Sequence, residues 1–248
     1  MPGGRLQDRV ILITGATRGI GRAVALRFAA EGATLVLTGR TTGALEEVDD
    51  AVRATGGASA TLVPMDLTDY DAIDRLGAGI FERYGRLDGL VGNAGMLGNL
   101  SPLAHTDPKV WDQVMGLNAT ANWRLIRSMD PLLRTSDAGR VVLVTSTVGH
   151  EPRAYWSAYA VSKAALEMIA KIYAEETVTT NVKVNILNPG ATRTNMRARA
   201  FPGEDPETVK SPDSITEDFV RLCEAACTLH GETVTATPTL ASDNAPAD

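Results

Sequence analysis

The chain is poor in the residues that build metal centres and disulfide scaffolds. Of 248 residues, two are cysteine and three are histidine. Cys223 and Cys227 stand four residues apart, a spacing that predicts one helix face and two reduced, partly buried thiols. His105, His150 and His230 are scattered, so no metal site is expected. Positive charge also falls short. Lys and Arg total 24 against 30 Asp and Glu, a net charge of −6. That balance argues against a nucleic-acid or anionic-membrane partner, since both favour a basic face. No apolar run reaches transmembrane length, and the start, Met1 to Arg5, lacks the apolar stretch of a secretory signal. The expectation is a soluble, cytoplasmic protein. Repeats, low-complexity blocks and linkers are missing too, so residues 1–248 are expected to form a single domain.

What is present is an ordinary globular composition, 44% hydrophobic and 22% charged. Short β-branched runs alternate with helix-like stretches. Strands are expected at 10–14, 34–38, 61–64, 87–93, 141–146, 182–188 and 233–237. Strands that are apolar throughout and separated by helices imply an α/β fold with about seven strands. The sheet is then parallel and doubly wound (Rossmann), with helices on both faces. Val161, Ala165, Met168, Ile169 and Ile172 read as the buried stripe of one helix. Residues 195–211 are rich in Arg, Pro, Glu and Gly, and read equally as a substrate lid or a plain surface excursion. The small, acidic tail 241–248 is expected to be disordered.

The first strand runs into Thr14-Gly15-Ala16-Thr17-Arg18-Gly19-Ile20-Gly21, which opens a helix. Glycines there permit a tight turn and close approach of a pyrophosphate, and the helix N-terminus offers free N–H groups. A glycine loop alone is weak, but the strand-before, helix-after context is the one the motif requires. An NAD site carries an acidic residue about 20 residues on, bonded to the ribose 2′-hydroxyl. Here the second strand ends in Arg40, and Arg18 lies inside the loop. Two guanidinium groups suit a 2′-phosphate, so NADP(H) is the expected cofactor. Later strand ends add candidates in the same crevice. Asp66 and Leu67 are placed for the adenine, and Asn93, Ala94 and Gly95 for the ribose. Pro189, Gly190, Thr192 and Thr194 are placed for the nicotinamide.

Tyr159 and Lys163, one helical turn apart, share a helix face, and that face should lie away from the apolar stripe. A free phenol titrates near about 10 and a nearby cation lowers that value, giving a proton-transfer group. None of the other tyrosines has a lysine four residues on. Ser146, read as the last residue of the fifth strand, offers a hydroxyl for a carbonyl oxygen, or simply caps a turn. Asn118 falls between helical segments where Asn is unfavourable. It reads as an ordinary polar residue, or as a local distortion holding a water that relays protons to Lys163.

At these residues the chain resembles the short-chain dehydrogenase/reductase superfamily, in its shorter single-domain branch, over roughly residues 6–235. The glycine loop, Asn93-Ala94-Gly95, the thirteen-residue step from Ser146 to Tyr159, Lys163 and Asn118 carry the likeness. The resemblance implies Tyr159 as general acid/base, and Lys163 as ribose ligand and phenol tuner. It implies Ser146 as carbonyl anchor and Asn118 as support of a proton relay. Arg18 and Arg40 match the family's NADP pattern. A homotetramer or dimer is implied as well, built partly from the Asn118 and Tyr159 helices. The stretch Thr192 to Arg197 with Phe201-Pro202 is similar to a bacterial sub-group of largely uncharacterised oxidoreductases, some labelled 3-oxoacyl-carrier-protein reductases. There are two departures. Gly92 stands where the family's Asn-Asn-Ala-Gly has its first Asn, and the C-terminal Asp-Gly-Gly is lacking.

The expected activity is hydride transfer between NADP(H) and a ketone or secondary alcohol. The alternative is a non-catalytic NADP(H)-binding sensor or scaffold on the same fold. The substrate is a small molecule of unread identity. His150, Glu151, Arg153, Tyr155 and Trp156 should border its pocket, the two aromatics suiting an apolar or ring-bearing ligand and Arg153 an anionic one.

Overall fold

The computed structural model describes residues 4–239; the expected tail 241–248 lies outside them. Seven parallel strands form one sheet. They are β1 (Val10–Thr14), β2 (Thr34–Gly39), β3 (Thr61–Pro64), β4 (Gly89–Gly92), β5 (Arg140–Val144), β6 (Lys183–Asn188) and β7 (Thr233–Thr235). Their order is β3-β2-β1-β4-β5-β6-β7. The chain steps outward one way from β1, returns, and continues the other way through β4. The switch point therefore falls between β1 and β4, and a crevice opens beyond their carboxyl ends.

Each strand alternates its side chains between two cores. Ile11 and Ile13 of β1 face one layer with α1 (Gly19–Ala30), α2 (Thr42–Ala54) and α8 (Thr216–Cys223), where Phe28, Leu45 and Phe219 are fully buried. Val10 and Leu12 face the other, with α3 (Tyr70–Tyr84), α5 (Ala121–Thr135) and α6 (Ser157–Thr177), where Ile73, Leu125 and Leu166 sit. Between α3 and α5 lies α4 (Pro108–Met115), and after β6 comes α7 (Asn195–Ala200). No helix among the described residues is long and apolar enough to cross a membrane.

Three details differ from the sequence reading. First, the α6 stripe faces outward: Val161, Met168 and Ile172 are exposed, while Tyr159, Lys163, Leu166, Ala170 and Tyr173 are buried. Helical spacing reveals that two faces exist, not which one meets the sheet. Second, β5 stops at Val144, so Ser146 is not a strand residue; it begins a short turn at 147–149. Third, α8 ends at Cys223, and Cys227 lies beyond it, so the two thiols do not share a helix face. Both are buried and free, and burial pushes the Cys223 thiol up to about 12.

Candidate active site

The glycine loop is shaped by close contacts. A Cβ on Gly21 would lie 2.3 Å from the Gly15 carbonyl oxygen and 2.5 Å from Asn93 Nδ2. Gly15 itself takes a left-handed backbone, φ 65°, which glycine adopts without Cβ strain. At the start of α1 no side chain caps the helix, so its first N–H groups are open to an anion. The loop touches its neighbours on two sides. A Cβ on Gly39 would meet Thr17 Cγ2 at 2.5 Å, which brings the end of β2 against the loop beside Arg40. A Cβ on Gly19 would lie 3.3 Å from Thr194 Cγ2. Arg18 and Arg40 are exposed and have no ion-pair partner among the described residues. Ile20 leans on the core from the first turn of α1.

Asn93 ties the loop down rather than leaving small-residue space. Its Nδ2 donates to the carbonyls of Thr14 (2.9 Å) and Gly15 (3.3 Å). Thr14 Oγ1 accepts from the backbone N–H groups of Asn93 and Ala94, both at 3.0 Å. Thr14 was missed in the sequence because a strand-end threonine looks like any other. Asp66 Oδ1 accepts from Thr68 N–H (2.9 Å) and hydroxyl (2.8 Å), and these bonds hold its carboxyl below the usual range. Its Oδ2 is left for a donor, with Leu67 buried beneath.

Tyr159 and Lys163 do share a face of α6, and both lie against the turn after β5. The phenol lies close to the Ser146 side chain. Burial pushes the phenol up to about 12, with the neighbouring Ser146 hydroxyl opposing. The expected lowering by the lysine is thus overturned in the cofactor-free protein. Lys163 Nζ lies 5.8 Å from the centroid of the Tyr159 ring and donates instead to the Val144 carbonyl at 2.7 Å. Burial lowers Lys163 to about 8, while the Glu167 carboxylate opposes that shift. Glu167, one turn on, accepts from Thr145 Oγ1 at 2.7 Å and contacts His150 Nδ1 at 3.0 Å.

Asn118 sits in a π-helical turn, Gly116–Thr120, joining α4 to α5. The distortion expected of a mid-helix Asn is there. Its side chain is committed, however. Oδ1 accepts from Met96 N–H (2.8 Å), and Nδ2 donates to the Met96 carbonyl (2.9 Å) and Ser162 Oγ (3.0 Å). Gly95 closes the gap, since a Cβ there would meet Asn118 Oδ1 at 3.3 Å and Lys163 Nζ at 3.6 Å. Gly92 has a structural counterpart in Asn122. A Cβ at 92 would fall 2.4 Å from Asn122 Oδ1, and Asn122 Nδ2 donates to the Asn118 carbonyl at 2.9 Å.

Beyond β6, Pro189 is buried and Gly190 takes φ 61°. Asn188 links this turn to the one after β5: its Nδ2 donates to Thr147 Oγ1 (3.1 Å), and its Oδ1 accepts from Gly190 N–H (3.0 Å). The Thr192 hydroxyl is turned inward to the Pro189 carbonyl at 3.0 Å, so its side chain is not offered to a ligand. Thr194 caps α7 by accepting from Arg197 N–H. Arg193, Thr194, Arg197, Phe201, Glu204 and Val209 line a cavity of about 220 Å³ next to it.

Comparison with known proteins gives the class. The short chain dehydrogenase family model matches residues 9–205, and the chain belongs to that family of oxidoreductases. Over 219 residues it is 42% identical to the uncharacterised oxidoreductase YciK of Escherichia coli, covering 88% of this chain and 86% of that one. A Thermotoga maritima 3-oxoacyl-[acyl-carrier-protein] reductase is 34% identical over 209 residues, covering 84% and 83%. Among solved structures, a short chain dehydrogenase of Salmonella enterica superposes with a TM-score of 0.92 at 38% identity, covering 96% and 99%. Another from Escherichia coli, complexed with NADPH, gives 0.90 at 40%, covering 94% and 98%.

Proposed function

We propose that the protein is an NADP(H)-dependent reductase of ketones, or dehydrogenase of the matching secondary alcohols, with Tyr159 as its general acid/base. The observation that carries this reading is the grouping of the Tyr159 phenol with the Ser146 side chain close by and the Lys163 ammonium 5.8 Å from the phenol ring. The related Escherichia coli structure complexed with NADPH supports the choice of cofactor.

The residues present fit that cofactor. The uncapped start of α1 and the crowded Gly15, Thr17, Gly19 and Gly21 suit a pyrophosphate. Arg18 and Arg40, in no ion pair among the described residues, suit a 2′-phosphate. Asp66 and Leu67 would take the adenine. Ala94 and Gly95, over the anchoring Asn93, would take a ribose, as would Tyr159 and Lys163 on the nicotinamide side. Pro189, Gly190 and Thr194 would border the nicotinamide, with Thr192 holding their turn. When bound, the nicotinamide supplies the hydride for the carbonyl carbon.

The chain's own groups do the rest. Ser146 donates a hydrogen bond to the carbonyl oxygen and stabilises the negative charge that grows there. Tyr159, with its phenol raised to about 12, is protonated at neutral pH and delivers a proton to that oxygen. Lys163 supplies positive charge beside the phenolate left behind. Asn118, pinned to Met96, keeps the π-helical turn in place behind Lys163. Residues 195–211, carrying Phe201 against Trp156, serve as the substrate lid. The exposed apolar face of α6, with Trp123 exposed on α5, suits a second copy of the chain in a dimer or tetramer.

The test is NADPH consumption across a panel of ketones by wild type and Tyr159→Phe. Turnover should be lost while NADPH binding persists. Equal turnover by the variant would remove the assigned proton donor.

A further inference from the structure

Two arginines line the cavity beside α7, both paired with carboxylates, and a third, Arg153, contacts the Phe201 ring that also lines it. Arg197 grips Glu204 through both carboxylate oxygens, at 2.6 and 2.5 Å, and Arg193 pairs with Glu207 at 2.5 Å. Arg153 has no carboxylate partner among the described residues; even Glu151, two positions before it, forms none. An exposed unpaired arginine is ordinary by itself. This one is fixed. Its guanidinium carbon lies 5.6 Å from the Trp156 ring centroid and 5.0 Å from that of Phe201. Those two rings are 5.8 Å apart, and Trp156 lies 5.9 Å from the Tyr159 ring. Cation–π contacts engage the flat face of a guanidinium and leave its N–H edge available.

The backbone leading there is unusual as well. Tyr155 adopts a left-handed conformation, φ 73°, where a side chain costs strain. Its carbonyl accepts from Ser101 N–H at 2.9 Å, which fixes the loop between Arg153 and Trp156. A strained, tethered loop thus holds an unpaired guanidinium beside Trp156, which adjoins the Tyr159 ring, and beside Phe201, whose ring also carries Arg197 at 3.7 Å.

We infer that Arg153 recognises an anion on the substrate, and that the substrate is an oxo-acid. Its ketone reaches Ser146 and Tyr159, its apolar body lies along Trp156, and its carboxylate meets the edge of Arg153. This rests on the reductase reading above and adds the substrate class to it.

The experiment compares para-acetylbenzoate with its methyl ester, using the NADPH-loaded enzyme for kinetics and the NADP⁺-loaded enzyme for calorimetric binding. The acid should show kcat/KM at least about tenfold above the ester, the scale of a charge-assisted hydrogen bond. Arg153→Gln keeps a planar polar group without the charge, and should bring the acid-to-ester ratio close to unity through KM. Arg153→Lys should restore part of the preference. Arg153 is exposed, and an unchanged Tm will show that the fold is intact. Equal kcat/KM for acid and ester, or an unaltered ratio in Arg153→Gln, overturns the inference while the reductase reading stands. Acid binding that Arg153→Gln abolishes, with neither ketone reduced, upholds the anion site and sinks the reductase reading. Absence of both binding and turnover overturns the inference.

Discussion

At the amino end of the sheet the buried charges are held on several sides. Asp88 accepts from Val10 N–H (2.8 Å), Ser136 Oγ (2.6 Å) and Arg86 Nε (3.1 Å). Arg9 donates to the Asp88 and Ala138 carbonyls, and Arg140 to those of Gly139, Asn181, Ala225 and Cys227. At the carboxyl end, Arg18, Arg40 and Arg153 stand exposed and form no ion pair among the described residues, and Lys163 is buried with its charge opposed by desolvation. At the amino end the chain itself supplies most of the partners, with the Nε–H groups of Arg9 and Arg140 left over and burial opposing both charges. The other end is left for a ligand to complete, which is where binding sites on open parallel sheets form.

That contrast can be broken from either end. The largest effect is expected at the carboxyl end. Tyr159→Phe should lower kcat by on the order of a thousandfold, the scale of general acid–base catalysis, with little change in the urea midpoint. Next comes the amino end. Asp88→Ala leaves the buried Val10 N–H and Ser136 hydroxyl without their partner and should destabilise the fold by about 2–4 kcal/mol. Urea denaturation will show it, and kcat per folded molecule should hold. Arg40→Asp should shift the NADPH/NADH preference by roughly 10- to 100-fold towards NADH, because a carboxylate repels the 2′-phosphate and accepts from a 2′-hydroxyl. The ratio of kcat/KM for the two cofactors checks it.

The smallest effect sharpens the comparison. Lys163 titrates at about 8 in the folded protein against 10.5 ordinarily. Between those values the unfolded chain holds more protons, so stability must rise with pH. Tyr159 acts the other way, but only above its ordinary 10.0, because its folded value of about 12 is raised. From about pH 8 to 9, below the ordinary 9.0 above which the raised Cys223 thiol acts the other way, the cofactor-free wild type should therefore gain stability, by at most about 1.4 kcal/mol per pH unit for this one group. Lys163→Met should lack that gain. Parallel urea midpoints for both proteins would refute the assignment.

Much of this was legible from residue order. Strands apolar throughout and separated by helices implied the parallel sheet, and the Ser146, Tyr159 and Lys163 spacing pointed to one turn of α6 facing the end of β5. What escaped has physical causes. Spacing along α6 shows that Tyr159 and Lys163 lie together, yet it cannot say whether they or Val161 and Met168 meet the sheet. Proximity of a cation suggested a lowered phenol, whereas burial, which no local pattern encodes, dominates. Thr14, Glu167 and Asn188 have partners 80, 22 and 41 positions away, and Asn122 packs against a strand; such pairings appear only once the chain is folded.

Gly92 and Asn122 have a consequence for how this site can change. The space that a side chain at 92 would occupy is already filled by the amide of Asn122. Gly92→Asn alone drives two amides into one volume, and shortening Asn122 alone opens a hole beside the π-helical turn. The two positions are therefore joined epistatically: a route back to the family's usual residue at 92 requires both to alter together, each single step being worse than either end.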